Sequence, residues 1–514
     1  MATPPDSLPD DARALKELLI AARDENERLI AIIKVLQRHR FGPRSEKIDP
    51  DQLALMLEDV EQAVAAGEAE AEAEAEGKRE PAGTPVRRKR QINRGALPKH
   101  LPREEVVVDL ADKCCPCCNR LRVKLGEDVS ERLDMIPARF KVIVTRRPKY
   151  ACRDCDGEVA QAPAPEHLIE AGIPTEALIA AVVIAKYADH LPLYRQAQIY
   201  GRQGVELDRS TLADWSGRAA FALRPVYERL FDVLKGSDKL FADETRAPVL
   251  DPGRRKTKTG QLWAYARDDR PWGGPEPPGV AYVYEPDRKH ERPAAHLAGF
   301  AGCLQVDGYG AYKALAEGNA VTLAFCWAHA RRNFFDIQAA NPAPIAVEAL
   351  ARIDGLYAIE RDIRGLGASA RLAARQVRAR AILEAMKPWL EAKLAAVSGK
   401  SKLAEAIRYA LSRWAGLTRY LDDGRIEIDN NVVERAMRPI ALGRKNHLFA
   451  GSDEGGRYWA IHASLIETCK MNHVDPQAWL ADVLDKIANR HPMSKIDELL
   501  PWAYINNGAK RQAA

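Results

Sequence analysis

The sequence predicts a multidomain protein of mixed α+β and α/β class, with helical segments flanking a strand-rich core. Three observations carry that expectation. At 514 residues the chain is too long for one hydrophobic core. From about residue 238 the pattern changes from helical spacing to strands separated by Gly/Pro-rich turns, and then to strands alternating with helices. Two acidic residues, Asp243 and Asp307, each close an apolar, strand-like run, and a third, Glu434, sits in a helix-like segment far downstream.

Composition excludes more than it assigns. With 46% apolar and 29% charged residues the chain reads as an ordinary water-soluble protein. Its longest unbroken apolar run, Ala177 to Ala185, is about half a membrane span, so no membrane partner is expected. No basic-then-apolar leader opens the chain, and the expected location is the cytoplasm, on the bacterial nucleoid. A net charge of +5 is small for this length, so the distribution of charge matters more than its sum.

Residues 12–48 predict a helix with a heptad seam. Leu15, Ala22, Leu29 and Leu36 fall seven apart, and Leu19, Asn26 and Ile33 follow the first three by four. One Asn in such a seam costs stability but favours a two-stranded partnership, so a homodimer or higher oligomer is expected. Residues 49–105 read as a solvated linker. An acidic Glu/Ala run from Glu68 to Glu76 gives way to Arg87, Arg88, Lys89 and Arg90, a basic stretch suited to a phosphate backbone.

Residues 106–162 carry two C-x-x-C knuckles, Cys115 with Cys118 and Cys152 with Cys155, separated by 33 residues. Four thiolates at this spacing can hold one tetrahedral Zn²⁺, and a four-thiolate site has no open position for chemistry, so the zinc is structural. Cys114 and Cys117 offer a second register for the first knuckle. Pro116 inside the knuckle and Asn119 after it favour Cys115 and Cys118.

Residues 165–236 read as all-helical. Leu193 to Arg202, a turn at Gly204, and a second helix capped by Ser210 or Thr211 give the outline of a helix-turn-helix. Residues 238–342 then supply a three-strand meander, a short helix, a fourth strand ending at Asp307 and a fifth over Val321 to Cys326. Residues 343–425 return to helices, as an insertion. Residues 426–458 complete the core with Glu434, and 460–505 form a C-terminal helical domain.

This element order is that of a ribonuclease-H-like sheet, in which the first and fourth strands are neighbours and would bring Asp243 and Asp307 together. Three carboxylates of this kind can hold two Mg²⁺ (or Mn²⁺) ions for in-line displacement at a phosphodiester. Glu244 is an alternative to Asp243, and Asp429 to Glu434. Asp429 or Asn430 caps the helix that holds Glu434, and Arg438, one turn beyond Glu434, faces the same way. Arg438, Arg444 and Lys445 are the expected phosphate contacts. Cys326 and His329 form a C-x-x-H pair with either an auxiliary metal role or a buried structural one.

These segments resemble the insertion-sequence-66 family of bacterial DDE transposases over roughly residues 12–505. The resemblance rests on Phe41-Gly-Pro-Arg-Ser-Glu-Lys after the heptads and on the two Cys knuckles with Arg147-Pro-Lys-Tyr-Ala between them. It rests also on Lys186-Tyr-Ala-Asp-His-Leu-Pro-Leu-Tyr-Arg, and above all on Asp429-Asn-Asn-Val-Val-Glu-Arg-Ala-Met-Arg-Pro with Gly443-Arg-Lys-Asn-His-Leu-Phe-Ala-Gly-Ser. It implies an acidic triad of Asp243, Asp307 and Glu434, a Cys-x-x-His at Cys326 and His329, and DNA as substrate. It also implies small accessory proteins encoded by the same element.

Overall fold

A five-stranded mixed sheet organises the chain. The computed structural model describes residues 138–150, 160–170, 172–251, 256–318, 321–340 and 343–504, together with Cys117. The heptad segment, the linker with Arg87, Arg88, Lys89 and Arg90, and the knuckle residues Cys115, Cys118, Cys152 and Cys155 lie outside the described residues. Ahead of the sheet come a two-residue ladder, β1 (Lys149–Tyr150) against β2 (Ala160–Gln161), and three helices. These are α1 (Glu176–Tyr187), α2 (Leu193–Gly201) and α3 (Arg209–Lys235). The cap of α3 is Asp208, whose carboxylate accepts the Ser210 N–H, rather than Ser210 or Thr211. A carboxylate two positions before Ser210 satisfies orphan donors of the first turn and starts the helix sooner.

The sheet comprises β3 (Lys239–Asp251), β4 (Lys256–Arg267), β5 (Gly279–Glu285), β6 (Gly302–Val306) and β7 (Val321–Phe325), in the spatial order β5-β4-β3-β6-β7. β3, β4 and β5 form an antiparallel meander, while β6 and β7 run parallel to β3. The parallel pairs need crossovers, and α4 (Glu291–His296) and α5 (Gly310–Gly318) provide the helical part of each.

Asp243 does not end its strand. It is the fifth of thirteen residues in β3, because β4 pairs with β3 as far as Asp251. What ends here is the parallel partner. The last β3–β6 pair is Phe241 with Gln305, and the same register carried two residues further sets Asp243 opposite Asp307. The two aspartates therefore meet where β6 stops and β3 continues.

After β7 the chain forms α6 (Trp327–Ala340), α7 (Pro344–Asp362) and α8 (Ala368–Ala374). A π-helical turn (Arg375–Ala379) leads into α9 (Arg380–Ala396), followed by α10 (Lys402–Ser412) and α11 (Trp414–Thr418). These helices enclose a hydrophobic core of their own, with Trp327, Phe334, Ile353, Leu383, Met386 and Ile407 inside. The chain returns to the sheet through α12 (Asn431–His447) and ends with α13 (Asp453–Met471) and α14 (Pro476–Ala488). Residues of α1, α3, α12, α13 and α14 share one core with the sheet, so these helices pack on it as cover.

One contact explains why α13 lies where it does. β5 is an edge strand, and its outward backbone groups are met by side chains spaced four apart on α13. Ser464 Oγ accepts the Tyr282 N–H at 2.8 Å, and Thr468 Oγ1 accepts from Val280 N and donates to Val280 O, both at 3.1 Å. Asn472, just past the helix, donates to Pro278 O at 2.7 Å. An open edge would invite pairing with another chain, and here a helix occupies it. Among the described residues no helix is long and apolar enough to cross a membrane.

Candidate active site

Six consecutive residues deliver Glu434 to the two aspartates, and each is fixed. Lys239 donates to Arg425 O at 2.8 Å, and Arg375 to Ile426 O at 2.9 Å. Gln305 accepts the Glu427 N–H and donates to Glu427 O, both at 2.9 Å. Ile428 O accepts the Trp327 N–H at 3.1 Å, and Asp429 O lies 3.4 Å from Gln305 Nε2. Asn430 closes the series: its amide donates to Ala242 O at 3.1 Å, and its N–H meets the Cys326 sulfur at 3.2 Å. Asn430 occupies the N-cap of α12 but spends its side chain on β3. Asp429 does the local work, accepting from the N–H and the amide of Asn431.

Asp307 is held from the opposite side. Its carboxylate accepts the Tyr309 N–H at 2.9 Å, and its carbonyl accepts the Tyr409 hydroxyl at 2.7 Å. Gly308 follows at φ +102°, and a β-carbon there would sit 2.5 Å from Arg413 Nε, so the turn needs glycine twice over. Arg413 stacks on Tyr409 at 3.9 Å. Tyr409 belongs to α10 and Arg413 follows it directly, so the helical insertion grips the Asp307 turn.

Charge concentrates at this point. Asp243 holds its proton well above the usual carboxylate range, first because it is buried, then because Glu244, Asp307 and Glu434 surround it. Glu244 points elsewhere. Its oxygens receive the Arg288 guanidinium and, at 3.1 Å, the Tyr312 hydroxyl, contacts that offset only part of the burial that raises its proton affinity. Burial and the neighbouring Glu434 and Glu427 push Asp429 up to about 6, but its carboxylate is engaged by Asn431. Asp307 and Glu434 both lie close enough to raise the proton affinity of Asp243, and the three carboxylates form an oxygen-rich set that suits hard divalent ions.

A second grouping adjoins the first. The ligand atoms of Cys326, His329 and Glu434 lie within 4.8 Å of one another, the one such group among the described residues, and Asp243 and Asp307 do not join it. His329 Nδ1 is 3.5 Å from Glu434 Oε1. Burial, with Glu434 and Asp429 adding, keeps the Cys326 thiol protonated far above its ordinary range, against the opposing pull of the Asn430 N–H donated to the sulfur.

The expected phosphate ligands separate along α12. Arg438 is half-buried one turn after Glu434, Lys445 is exposed, and Arg444 spends one donor on Arg246 O at 2.6 Å. Sequence reasoning did not find Gln305, Tyr409, Arg371 or Arg375. Arg371 and Arg375 are 2% and 0% exposed and pair with Glu427 and Glu360. Two arginines four apart in an Ala/Leu-rich helix read as a solvated face, and only tertiary structure places them inside.

A mixed sheet bearing a carboxylate cluster, with a helical segment after its last strand and a basic helix beside it, defines an α/β protein with an acidic site at the sheet. The model of the Transposase IS66 family matches residues 171–458, that of the IS66 C-terminal element residues 464–502, and that of the zinc-finger binding domain of transposase IS66 residues 112–156. Residues 28–106 match the family described as Transposase C of IS166 homeodomain. Uncharacterized protein y4qI of Sinorhizobium fredii (strain NBRC 101917 / NGR234) is 45% identical over 98% of this chain and 99% of its own length. Uncharacterized protein y4jD of the same organism is 43% identical over 97% of each. The chain belongs to the IS66 transposase family.

Proposed function

We propose that this protein is a DDE transposase that cleaves DNA at the ends of an insertion element and joins them to target DNA. Its sheet is a ribonuclease-H-like core. The observation that carries the reading is the in-register meeting of Asp243 and Asp307 beside a Glu434 that raises the proton affinity of Asp243. Two Mg²⁺ or Mn²⁺ ions held by these carboxylates would supply activation of the attacking oxygen and stabilisation of the leaving oxygen. The chain's own residues set the geometry: the Asn430 tie fixes the helix of Glu434 against β3, Tyr409 fixes the Asp307 turn, and His329 orients Glu434. Water as nucleophile nicks the element end, and the freed 3′-hydroxyl then attacks the target strand.

Around this centre, Arg438, Arg444 and Lys445 bind phosphates, and Arg87, Arg88, Lys89 and Arg90 add further cationic contacts to the DNA backbone. Cys115, Cys118, Cys152 and Cys155 hold a structural Zn²⁺, the heptads over 12–48 pair two or more copies, and accessory proteins of the element assist. The family membership and the match over residues 112–156 support these readings. The test is cleavage and strand transfer with Mg²⁺ on DNA carrying the flanking ends, for the wild type and Asp307→Ala. Cutting and joining that the variant lacks is the expected result. Equal activity in the variant removes Asp307 from the site, and cutting without joining replaces the transposase by a plain nuclease.

A further inference from the structure

Helix α12 ends in a strained turn that displays two apolar side chains. Leu448 has φ 63° and ψ −48°, and the Phe449 N–H bonds the His447 carbonyl at 2.7 Å. This is a γ-turn with positive φ, rare and strained in any residue and more so in a bulky one. Such strain persists where the surroundings over-determine it, and it gathers at sites that grip a ligand. Both flanks are clamped here. Leu448 N–H closes the helix on Arg444 O at 2.9 Å, and the His447 ring packs edge-on against Trp459, 4.7 Å between centroids. Ala450 donates to Pro248 O at 2.9 Å and accepts from Leu250 N at 2.8 Å, which ties the chain to β3. The clamp holds Leu448 out at 65% exposure, with Phe449 beside it at 38%.

The charge around this tip selects its partner. From Arg435 to Ser452 the sequence has four Arg or Lys residues and no Asp or Glu. Arg438 and Lys445, four and eleven residues after Glu434, lie within about 40° of it around the helix. The next acids, Asp453 and Glu454, are already paired with Lys258 and Arg457. A cationic face that ends in an apolar tip complements a polyanion with an apolar interior, which is stacked DNA.

We infer that Leu448 and Phe449 form a wedge that unstacks one base step of the DNA lying along α12. The inference rests on the proposed reading that Glu434 meets the cleaved phosphate. Leu448 is fourteen residues beyond Glu434. At about 1.5 Å per residue that is about 21 Å, or about six steps of duplex. Apolar side chains inserted at a step part the bases and kink the helix, while neighbouring cations hold the backbone.

The test uses the full chain and duplexes of the flanking ends, with 2-aminopurine placed singly from about four to about eight steps from the cleaved phosphate. Anisotropy reports binding, and gel assays report cleavage. Wild-type protein is expected to raise the fluorescence several-fold at one or two adjacent positions. Phe449→Ala abolishes the rise while melting temperature and the salt slope of binding stay unchanged. Leu448→Gly, free to adopt positive φ, melts at or above the wild-type temperature and also loses the rise. Binding and cleavage without a rise overturn the wedge alone, as does a rise that both variants keep. Lowered melting in both variants assigns the pair to folding and overturns it too. Wild-type protein that neither binds nor cuts these duplexes sinks the transposase reading, and the wedge with it.

Discussion

Asn430 ties Glu434 to the strand of Asp243: its side-chain amide reaches the carbonyl of Ala242 at 3.1 Å, and its own carbonyl accepts the Glu434 N–H at 3.3 Å. One hydrogen bond thus joins the cap of α12 to the residue before the first aspartate. Asn430 is 1% exposed, so removing the amide leaves a buried carbonyl without this donor, a cost of about 1–3 kcal/mol. Asn430→Ala is expected to lower the melting temperature modestly and to reduce cleavage by about 100-fold through misplacement of the carboxylates. DNA affinity by anisotropy should stay within a few-fold of wild type. Full activity in this variant would mean that the rest of the 425–430 segment suffices to place Glu434.

The grip of the insertion on Asp307 predicts a separate effect. Tyr409→Phe deletes one hydroxyl, 2.7 Å from Asp307 O, and should lower kcat with KM for DNA nearly constant. A rise in KM alone would place Tyr409 in DNA binding instead.

Buried ion pairs make the insertion sensitive to single changes. Arg375→Met leaves Glu360 buried without its bidentate partner and should cost about 3–5 kcal/mol. Adding Glu360→Gln should recover much of the lost denaturation midpoint. Equal midpoints for the single and double variants would show that packing, not charge, decides the site.

Asp429 supplies a pH dependence of known sign. Its folded-state carboxyl titrates at about 6, above the ordinary 3.8, so the folded protein binds this proton more tightly than the unfolded chain. The associated stability is fully present below pH 3.8 and is lost as pH rises through about 6. Asp429→Asn should therefore raise the melting temperature of metal-free protein at neutral pH, with the gain fading towards pH 4. A gain independent of pH would refute that origin.

The side chains of α13 that finish the sheet edge can be weighed by an isosteric change. Thr468→Val removes both bonds to Val280 and should cost about 1–3 kcal/mol and promote association through β5. Thermal melts with light scattering would register both. An unchanged melt would mean that Ser464 and Asn472 hold the edge by themselves.

The strands and helices that carry chemistry were legible because local patterns mark them: apolar runs ending in Asp, and Asp429-Asn-Asn ahead of a helical repeat. Three features were not. The length of β3 past Asp243 depends on its pairing with β4, which no local pattern in Thr245-Arg-Ala-Pro announces. The cap at Asp208 lost out to Ser210 because both are good caps two residues apart. The roles of Arg371, Arg375, Tyr409 and Thr468 arise from contacts across long sequence separations, where composition gives no signal. The zinc knuckles and heptads lie outside the described residues and rest on their spacing together with the family matches over residues 112–156 and 28–106.

Because α13 finishes the edge of β5, and Glu434 enters only after the whole insertion, the order of synthesis matters. A polypeptide still growing on the ribosome has β3, β4, β5 and both aspartates exposed long before residue 472 emerges. Until residue 434 emerges it lacks its third carboxylate, and until residues 464–472 emerge it lacks the side chains that occupy the outer strand. A chain ended before Glu434 therefore lacks the third carboxylate, and one ended before residue 464 leaves the outer strand open to pairing with another chain.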